Sequence, residues 1–141
     1  MATSARHVDG HAIEQQFKEL LDGKTFGQFR VRVELAEVFS VMDKQGIDAL
    51  LSIEQLVTAA TYSVPLQLKS GPTGLQEWRA DYRFRVLGRA FGVIVTPKDL
   101  AKGAEHVFQS VLMQCVRQLE DMPGSAEPRK ELRRLMADLG I

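Results

Sequence analysis

Two runs of alternating apolar and polar residues meet at Gly88-Arg89, and this pattern constrains the fold more than any other feature of the chain. Alternation with a period of two predicts β-strands, and a glycine in the first position of a two-residue connection favours a type II′ turn. The sequence therefore predicts a β-hairpin over about 76–96.

The register of this hairpin separates its two faces. One face collects only apolar or aromatic side chains, namely Tyr82, Phe84, Val86, Phe91, Val93 and Val95. The opposite face carries Arg83, Arg85, Gly92 and Ile94. Because burying unpaired arginines in an apolar layer is strongly unfavourable, we expect the aromatic face to point into the core and the arginines to point outward.

The segments that flank the hairpin predict one more strand and one long helix. Val64, Leu66 and Leu68 alternate ahead of a turn-rich stretch, which predicts a strand over 64–68. After the hairpin, Thr96-Pro97-Lys98-Asp99 supplies a helix cap, a proline at the first helical position and a carboxylate at the third. A broad apolar stripe follows, so we expect a helix over 99–120 that packs on the sheet.

The N-terminal third of the chain predicts further helices. Asp9 and Gly23 are suited to begin and end a helix over 10–22. Residues 26–44 fit two periods: helical spacing favours one helix, and a strand to Leu35 followed by a short helix is the alternative. Ser52 and Gln55 resemble a capping box, which predicts a third helix with Ile53, Leu56, Val57 and Ala60 on its apolar side.

These elements predict an α+β fold in a single domain over 1–141. In this interpretation the hairpin and the strand at 64–68 form a small antiparallel sheet packed on helix 99–120. The N-terminal helices complete the core, residues 1–8 are disordered, and a short C-terminal helix lies within 124–141. The apolar face of the long helix exceeds what a hairpin covers, so we expect the N-terminal helices or a second copy, in a homodimer, to cover the rest. The C-terminal helix is a further candidate for packing between copies.

Composition excludes several classes of protein. Hydrophobic residues make up 45% of the chain and charged residues 26%, which is typical of a globular domain. Eighteen basic and eighteen acidic residues cancel, so no overall field draws the protein to nucleic acid or lipid. The single cysteine, Cys115, excludes an internal disulfide. With no signal-peptide pattern and no apolar run of membrane-spanning length, we expect a cytoplasmic protein that does not enter the membrane.

The residues with catalytic or metal-binding chemistry do not form a recognisable motif. His7 and His11 have the spacing of a metal-binding pair, but Asp9 between them is better used as a helix cap, and no third ligand is evident. Cys115 lies on the apolar stripe of the long helix, where we expect a buried, unreactive thiol. His106 is isolated. The sequence therefore predicts no metal and no cofactor, and it favours a protein that is not an enzyme.

The candidate binding surface is the outward face of the hairpin. Residues 69–89 carry five basic and two acidic side chains and form a basic segment. The candidate partner-binding residues are Arg79, Arg83, Arg85, Arg89 and Ile94. This face, or an open edge of so small a sheet, would suit a protein partner, so the leading hypothesis is an adaptor, assembly factor or chaperone. The alternatives are a nucleic-acid-binding protein that uses the basic sheet face, and an enzyme without a recognisable motif.

Overall fold

The computed structural model describes residues 2–37, 47–71, 90–120 and 126–138. The strands within these residues are β1 (Thr25–Phe26), β2 (Phe29–Leu35), β3 (Ala49–Gln55), β4 (Thr61–Lys69) and β5 (Phe91–Ile94). The helices are α1 (Ala2–Leu21), α2 (Pro97–Ala101), α3 (Ala104–Glu120) and α4 (Ala126–Asp138). The protein therefore combines helices with one sheet, as the α+β prediction requires.

The five strands form one mixed sheet in the order β1-β2-β3-β4-β5. Strands β1 to β4 pair antiparallel, whereas β5 runs parallel to β4, with Leu66 opposite Phe91 and Lys69 opposite Ile94. The predicted strand at 64–68 is confirmed within β4. The sheet is larger than predicted and is not purely antiparallel.

The pairing of β5 with β4 departs from the antiparallel sheet that the sequence predicts. Residues 72–89, with the predicted turn at Gly88-Arg89, lie outside the described residues, so only the second half of the hairpin can be compared. Strand β5 pairs parallel with β4, whereas the predicted sheet was antiparallel throughout. The predicted pairing of 90–96 with the first half of the hairpin stays a prediction. The predicted orientation is confirmed for Val93 and Val95, which are 0% and 1% exposed.

Residues 29–35 form a strand, so the favoured single helix over 26–44 is wrong and the alternative strand to Leu35 is confirmed. The side chains of Phe29, Val31 and Val33 are buried on one face, and Arg32 is exposed on the other. Antiparallel pairing along all of β3 satisfies the backbone groups of β2. The short helix predicted after Leu35 falls on 38–46, outside the described residues.

The third predicted helix is also wrong, because Ala49–Gln55 is strand β3 in the middle of the sheet. The alternating residues Ala49, Leu51 and Ile53 are fully buried, and period two outweighs the capping-box resemblance of Ser52 and Gln55. Gln55 still acts as a cap, but it caps the turn that follows β3.

Helix α1 extends over Ala2–Leu21 and thus includes residues 2–8, for which the sequence predicts disorder. Its buried residues Ile13, Phe17 and Leu21 lie at intervals of four and form one stripe against the sheet. The helix ends as predicted: Gly23 has a φ of 79°, and its N–H donates to the carbonyl of Val31.

The predicted long helix is two helices, α2 and α3. Helix α2 begins with the predicted capping box, in which Thr96 Oγ1 accepts from the Asp99 N–H at 3.1 Å and Asp99 Oδ2 accepts from the Thr96 N–H at 2.9 Å. The chain then turns at Gly103, whose φ of 104° is unfavourable for residues with a Cβ, before α3 begins at Ala104.

The core lies between the sheet and helices α1 and α3. Phe26 of β1 stacks on Phe108 of α3 with ring centroids 4.8 Å apart, which attaches the helix to one edge of the sheet. Helix α4 packs on α3, and Leu135 is 1% exposed within the chain's own core. A second copy is therefore not required to bury Leu135.

Candidate functional site

The structure describes only one residue of the predicted binding surface. Arg79, Arg83, Arg85 and Arg89 all lie outside the described residues, and the arginine surface stays a prediction. Ile94 is half-buried at the end of β5. Its backbone N–H donates to Gln114 Oε1 at 2.8 Å, and its carbonyl accepts from Gln114 Nε2 at 3.0 Å.

Gly92, two residues earlier, is held in the same way by Gln118. Its N–H donates to Gln118 Oε1 at 3.0 Å, and its carbonyl accepts from Gln118 Nε2 at 2.6 Å. Gly92 and Ile94 are the residues of β5 whose backbone groups point away from β4. Side chains of α3 thus occupy the positions that a further strand would use, and the expected open edge is closed at β5.

The two glutamines belong to a polar row along α3. His106, Ser110, Gln114 and Gln118 follow each other at intervals of four, so they lie on one side of the helix. Gln114 Nε2 also donates to Ser110 Oγ at 3.2 Å, and Gln118 Nε2 donates to the Gln114 carbonyl at 3.2 Å. Sequence analysis missed this row. Its signal was a glutamine pair at i and i+4 beside the apolar stripe of the helix.

His106 begins the row and is bonded to the cap of α2. Its Nε2 lies 3.1 Å from Asp99 Oδ1, while Asp99 Oδ2 accepts from the Thr96 hydroxyl at 2.8 Å. The hydrogen bond from the Thr96 N–H is the main reason that the pKa of Asp99 is lowered. Burial acts in the opposite direction, and the side-chain bonds with His106 and Thr96 lower the pKa further.

An imidazole oriented by a carboxylate is an arrangement that enzymes use for general-base catalysis, which makes this pair a catalytic candidate. A cleft of about 240 Å³ beside it is lined by His106, Ser110, Met113 and Arg117, among others. Ser110 Oγ, however, is bonded to Gln114. Within the described part of the chain no hydrogen bond joins Ser110 to His106, so the pair does not activate Ser110 as a nucleophile. We assign it the role of joining α2 to α3.

Of the remaining residues singled out for reactivity, Cys115 is the one whose side chain the structure describes. Cys115 is 0% exposed, and burial raises its pKa to about 12, as expected for an unreactive thiol. The side chains of His7, Asp9 and His11 are outside what the structure describes. Elsewhere in the described ranges, no cluster of three His, Cys, Asp or Glu residues is arranged to hold a metal ion.

The turn between β3 and β4, residues 55–60, carries the most exposed large apolar side chain that the structure describes. Val57 is 72% exposed and its neighbour Leu56 is 42% exposed. Single exposed apolar residues are common on protein surfaces. Two adjacent ones at the tip of a turn are a stronger indication of a contact surface.

Hydrogen bonds fix the conformation of this turn. Gln55 Oε1 accepts from the backbone N–H groups of Val57 at 2.5 Å and Thr58 at 2.8 Å, and Gln55 Nε2 donates to Gln28 Oε1 at 3.4 Å. The Leu56 N–H donates to the carbonyl of Gln28 at 2.8 Å, which ties the β3–β4 turn to the turn between β1 and β2. The apolar tip is therefore held in one geometry.

The tip also lies at the start of the longest stretch of sheet residues that contains no charged side chain. Residues 55–68 contain no Asp, Glu, Lys, Arg or His, although charged residues make up 26% of the chain. Residues 56–61 and Ser63 are exposed, so this neutrality extends over surface as well as core. Depletion of charge is the compositional mark of the centre of a protein–protein interface.

A second cleft, of about 500 Å³, lies between α1 and α2. It is lined by Gln16, Glu19, Leu20, Pro97, Leu100 and Ala101. No charged pair, nucleophile or histidine is among these residues. The cleft is therefore a concave surface whose lining residues include neither a histidine nor a nucleophile.

None of the helices in the described ranges combines the length and the apolar character needed to span a membrane.

Comparison with known proteins found no match. No protein-family model, no curated protein and no solved structure matches this chain.

Proposed function

We propose that this protein is a non-enzymatic protein-binding module, an adaptor, assembly factor or chaperone that acts in the cytoplasm, alone or as a homodimer. The observation that carries the proposal is the β3–β4 turn, where Val57 and Leu56 are exposed at the tip of an uncharged segment. The partner is a protein with an apolar, uncharged surface that receives these two side chains.

The rigidity of the turn supports a binding role. A loop that must be ordered on association lowers affinity, because the entropy of ordering opposes binding. In this turn, Gln55 and Gln28 already fix the backbone around Val57. The tip can therefore bind at little conformational cost.

The described sheet gives no comparable support to nucleic-acid binding. On the face opposite the core, Arg30 lies across from Glu54 in the β2–β3 register, so positive charge is balanced there. A phosphate-binding surface needs unbalanced basic side chains. Nucleic-acid binding through Arg79, Arg83, Arg85 and Arg89 is accordingly an outcome that the experiment must be able to reveal.

The test compares two charge substitutions at exposed apolar positions. Val57→Asp changes the tip, and Met113→Asp changes a residue of α3 that is 41% exposed and lies away from it. The tagged parent chain and both variants are purified at low salt from the native host. Companions are identified by mass spectrometry and absorbance at 260 and 280 nm, and the mass of each variant is measured by light scattering.

We expect a stoichiometric protein companion, or a second copy, that stays bound to the parent chain and to Met113→Asp and is lost from Val57→Asp. Binding through apolar contacts should persist as salt is raised. A companion lost only from Met113→Asp would contradict the assignment to the tip. Nuclease-sensitive absorbance at 260 nm that falls steeply with salt would replace the proposal by nucleic-acid binding.

A further inference from the structure

The turn between β1 and β2 lies beside the β3–β4 turn, at the same end of the sheet. Strands β2 and β3 are antiparallel neighbours with Phe29 opposite Gln55, so β2 begins where β3 ends. The next pair continues this register, because the Leu56 N–H donates to the Gln28 carbonyl at 2.8 Å. With strands about 4.8 Å apart, the centres of the two turns are about 10 Å apart.

Both turns are exposed, and neither carries a charged side chain. Gly27 and Gln28 are exposed in the first turn, and residues 56–60 are exposed in the second. The first charged pair inward from the turns in the β2–β3 register is Arg30 opposite Glu54, whose charges cancel. An uncharged centre with a polar rim is typical of a protein–protein interface. The two turns therefore have the composition of one continuous contact surface.

The second turn holds one residue in a backbone conformation that this residue type rarely adopts. Ala59 has a φ of 63°, in the left-handed region where glycine is usual. Two hydrogen bonds close the turn around it: the Ala59 N–H donates to the Gln55 carbonyl at 2.8 Å, and the Gln55 N–H donates to the Ala60 carbonyl at 2.8 Å. Backbone strain of this kind is concentrated at functional sites. It indicates, separately from exposure and neutrality, that this end of the sheet binds a partner.

We propose that the β1–β2 turn is the second half of the partner-binding surface, and that Gln28 contacts the same protein that receives Val57. This inference rests on the proposed function, because it needs a partner at the β3–β4 turn. Gln28 Oε1 accepts from Gln55 Nε2, whereas no hydrogen bond of Gln28 Nε2 occurs within the described ranges. The partner therefore presents an apolar pocket for Val57 and, beside it, an uncharged acceptor such as a peptide carbonyl for the Gln28 amide.

The test adds one negative charge at Gln28 with little change of shape. In Gln28→Glu the carboxylate can still accept from Gln55 Nε2, so the turn keeps its hydrogen bonds. The matched control is Gln15→Glu, the same change at an exposed position of α1, and Val57→Asp tests the proposed function itself. The probe is the companion protein purified with the parent chain at low salt from the native host, or the second copy if the companion is this chain. Calorimetry measures the dissociation constant of each variant, and circular dichroism checks its folding.

We expect Gln28→Glu and Val57→Asp each to weaken binding about tenfold or more, because an unpaired charge loses its water in the interface, and Gln15→Glu to bind like the parent chain. Gly27→Asp replaces Gln28→Glu if that variant does not fold, since a Cβ at Gly27 meets nothing within 4 Å. If Val57→Asp alone weakens binding, this inference is overturned and the proposed function stands. If no variant weakens binding, or no companion is found, both are overturned.

Discussion

The side-chain amide of Gln118 forms two hydrogen bonds with the backbone of Gly92, accepting at 3.0 Å and donating at 2.6 Å. Both residues are buried, so replacing Gln118 by leucine leaves one N–H and one carbonyl without partners and without water. Each such group costs about 1–3 kcal/mol, and we expect the free energy of unfolding to fall by about 2–6 kcal/mol. Urea titration measures this change in the free energy of unfolding. Gln109→Leu is the control and should change stability by about 0.5 kcal/mol or less.

Asp99 makes stability dependent on pH in the acid range. Its pKa in the folded protein lies below the ordinary value of 3.8, chiefly because its carboxylate accepts from the Thr96 N–H. Its contribution is therefore fully present above pH 3.8 and is lost as the pH falls through the lower folded value. Asp99→Asn should lose about 1 kcal/mol at pH 7.

Urea titrations of both proteins between pH 7 and about pH 2 test this linkage. The difference in stability between parent and Asp99→Asn should shrink as the pH falls below 3.8. A difference that stays constant over the whole range would show that the charge of Asp99 has no part in the cap.

Gly103 should not tolerate a side chain, for reasons of backbone conformation alone. Its φ is 104°, and a Cβ built there meets nothing within 4 Å. Gly103→Ala should therefore cost about 1–2 kcal/mol without any steric clash. Gly71 is the control, because its surroundings are equally open but its φ lies outside this strained range. Gly71→Ala should leave the stability unchanged or raise it by up to about 1 kcal/mol in thermal unfolding.

Cys115 should report the opening of the core. With a pKa of about 12 and no exposure, its thiol is neither ionised nor accessible at pH 8. We expect an aromatic disulfide reagent to label the folded protein about 1000-fold more slowly than the chain unfolded in guanidinium. Equal labelling rates in the two states would show that α3 does not seal the sheet.

Prediction from the sequence succeeded where the residues fitted only one periodicity, that of a strand or that of a helix. Val64, Leu66 and Leu68 alternate without a competing helical stripe, and they lie buried in β4. Thr96, Pro97 and Asp99 form the expected cap because capping depends on local chemistry. Around Val31 two periods overlapped, and the neighbouring strand β3, which local spacing cannot reveal, decided for the strand.

The candidate sites were predicted less well, because they depend on contacts between distant parts of the chain. Gln114 and Gln118 are ordinary helix residues until β5 is placed beside them, 20 and 26 positions away in sequence. The exposed tip was missed because Leu56 and Val57 were assigned to the apolar side of a helix. Once β3 and β4 are strands, the same two residues fall at the turn and have no core to enter.

The parallel pairing of β4 with β5 implies an order in which the strands of the sheet form while the chain is being synthesised. Strands β1 to β4 need only residues 25–69, and each pairs with its neighbour in sequence, so this meander can form early on the ribosome. Strand β5 and helix α3 emerge later, and until then α1 is the one helix among the described residues that can cover the inner sides of Val31, Leu51 and Leu66. The nascent protein thus passes through an interval in which the part of the apolar sheet that α3 covers is open to other chains, and the arrival of α3 ends that interval.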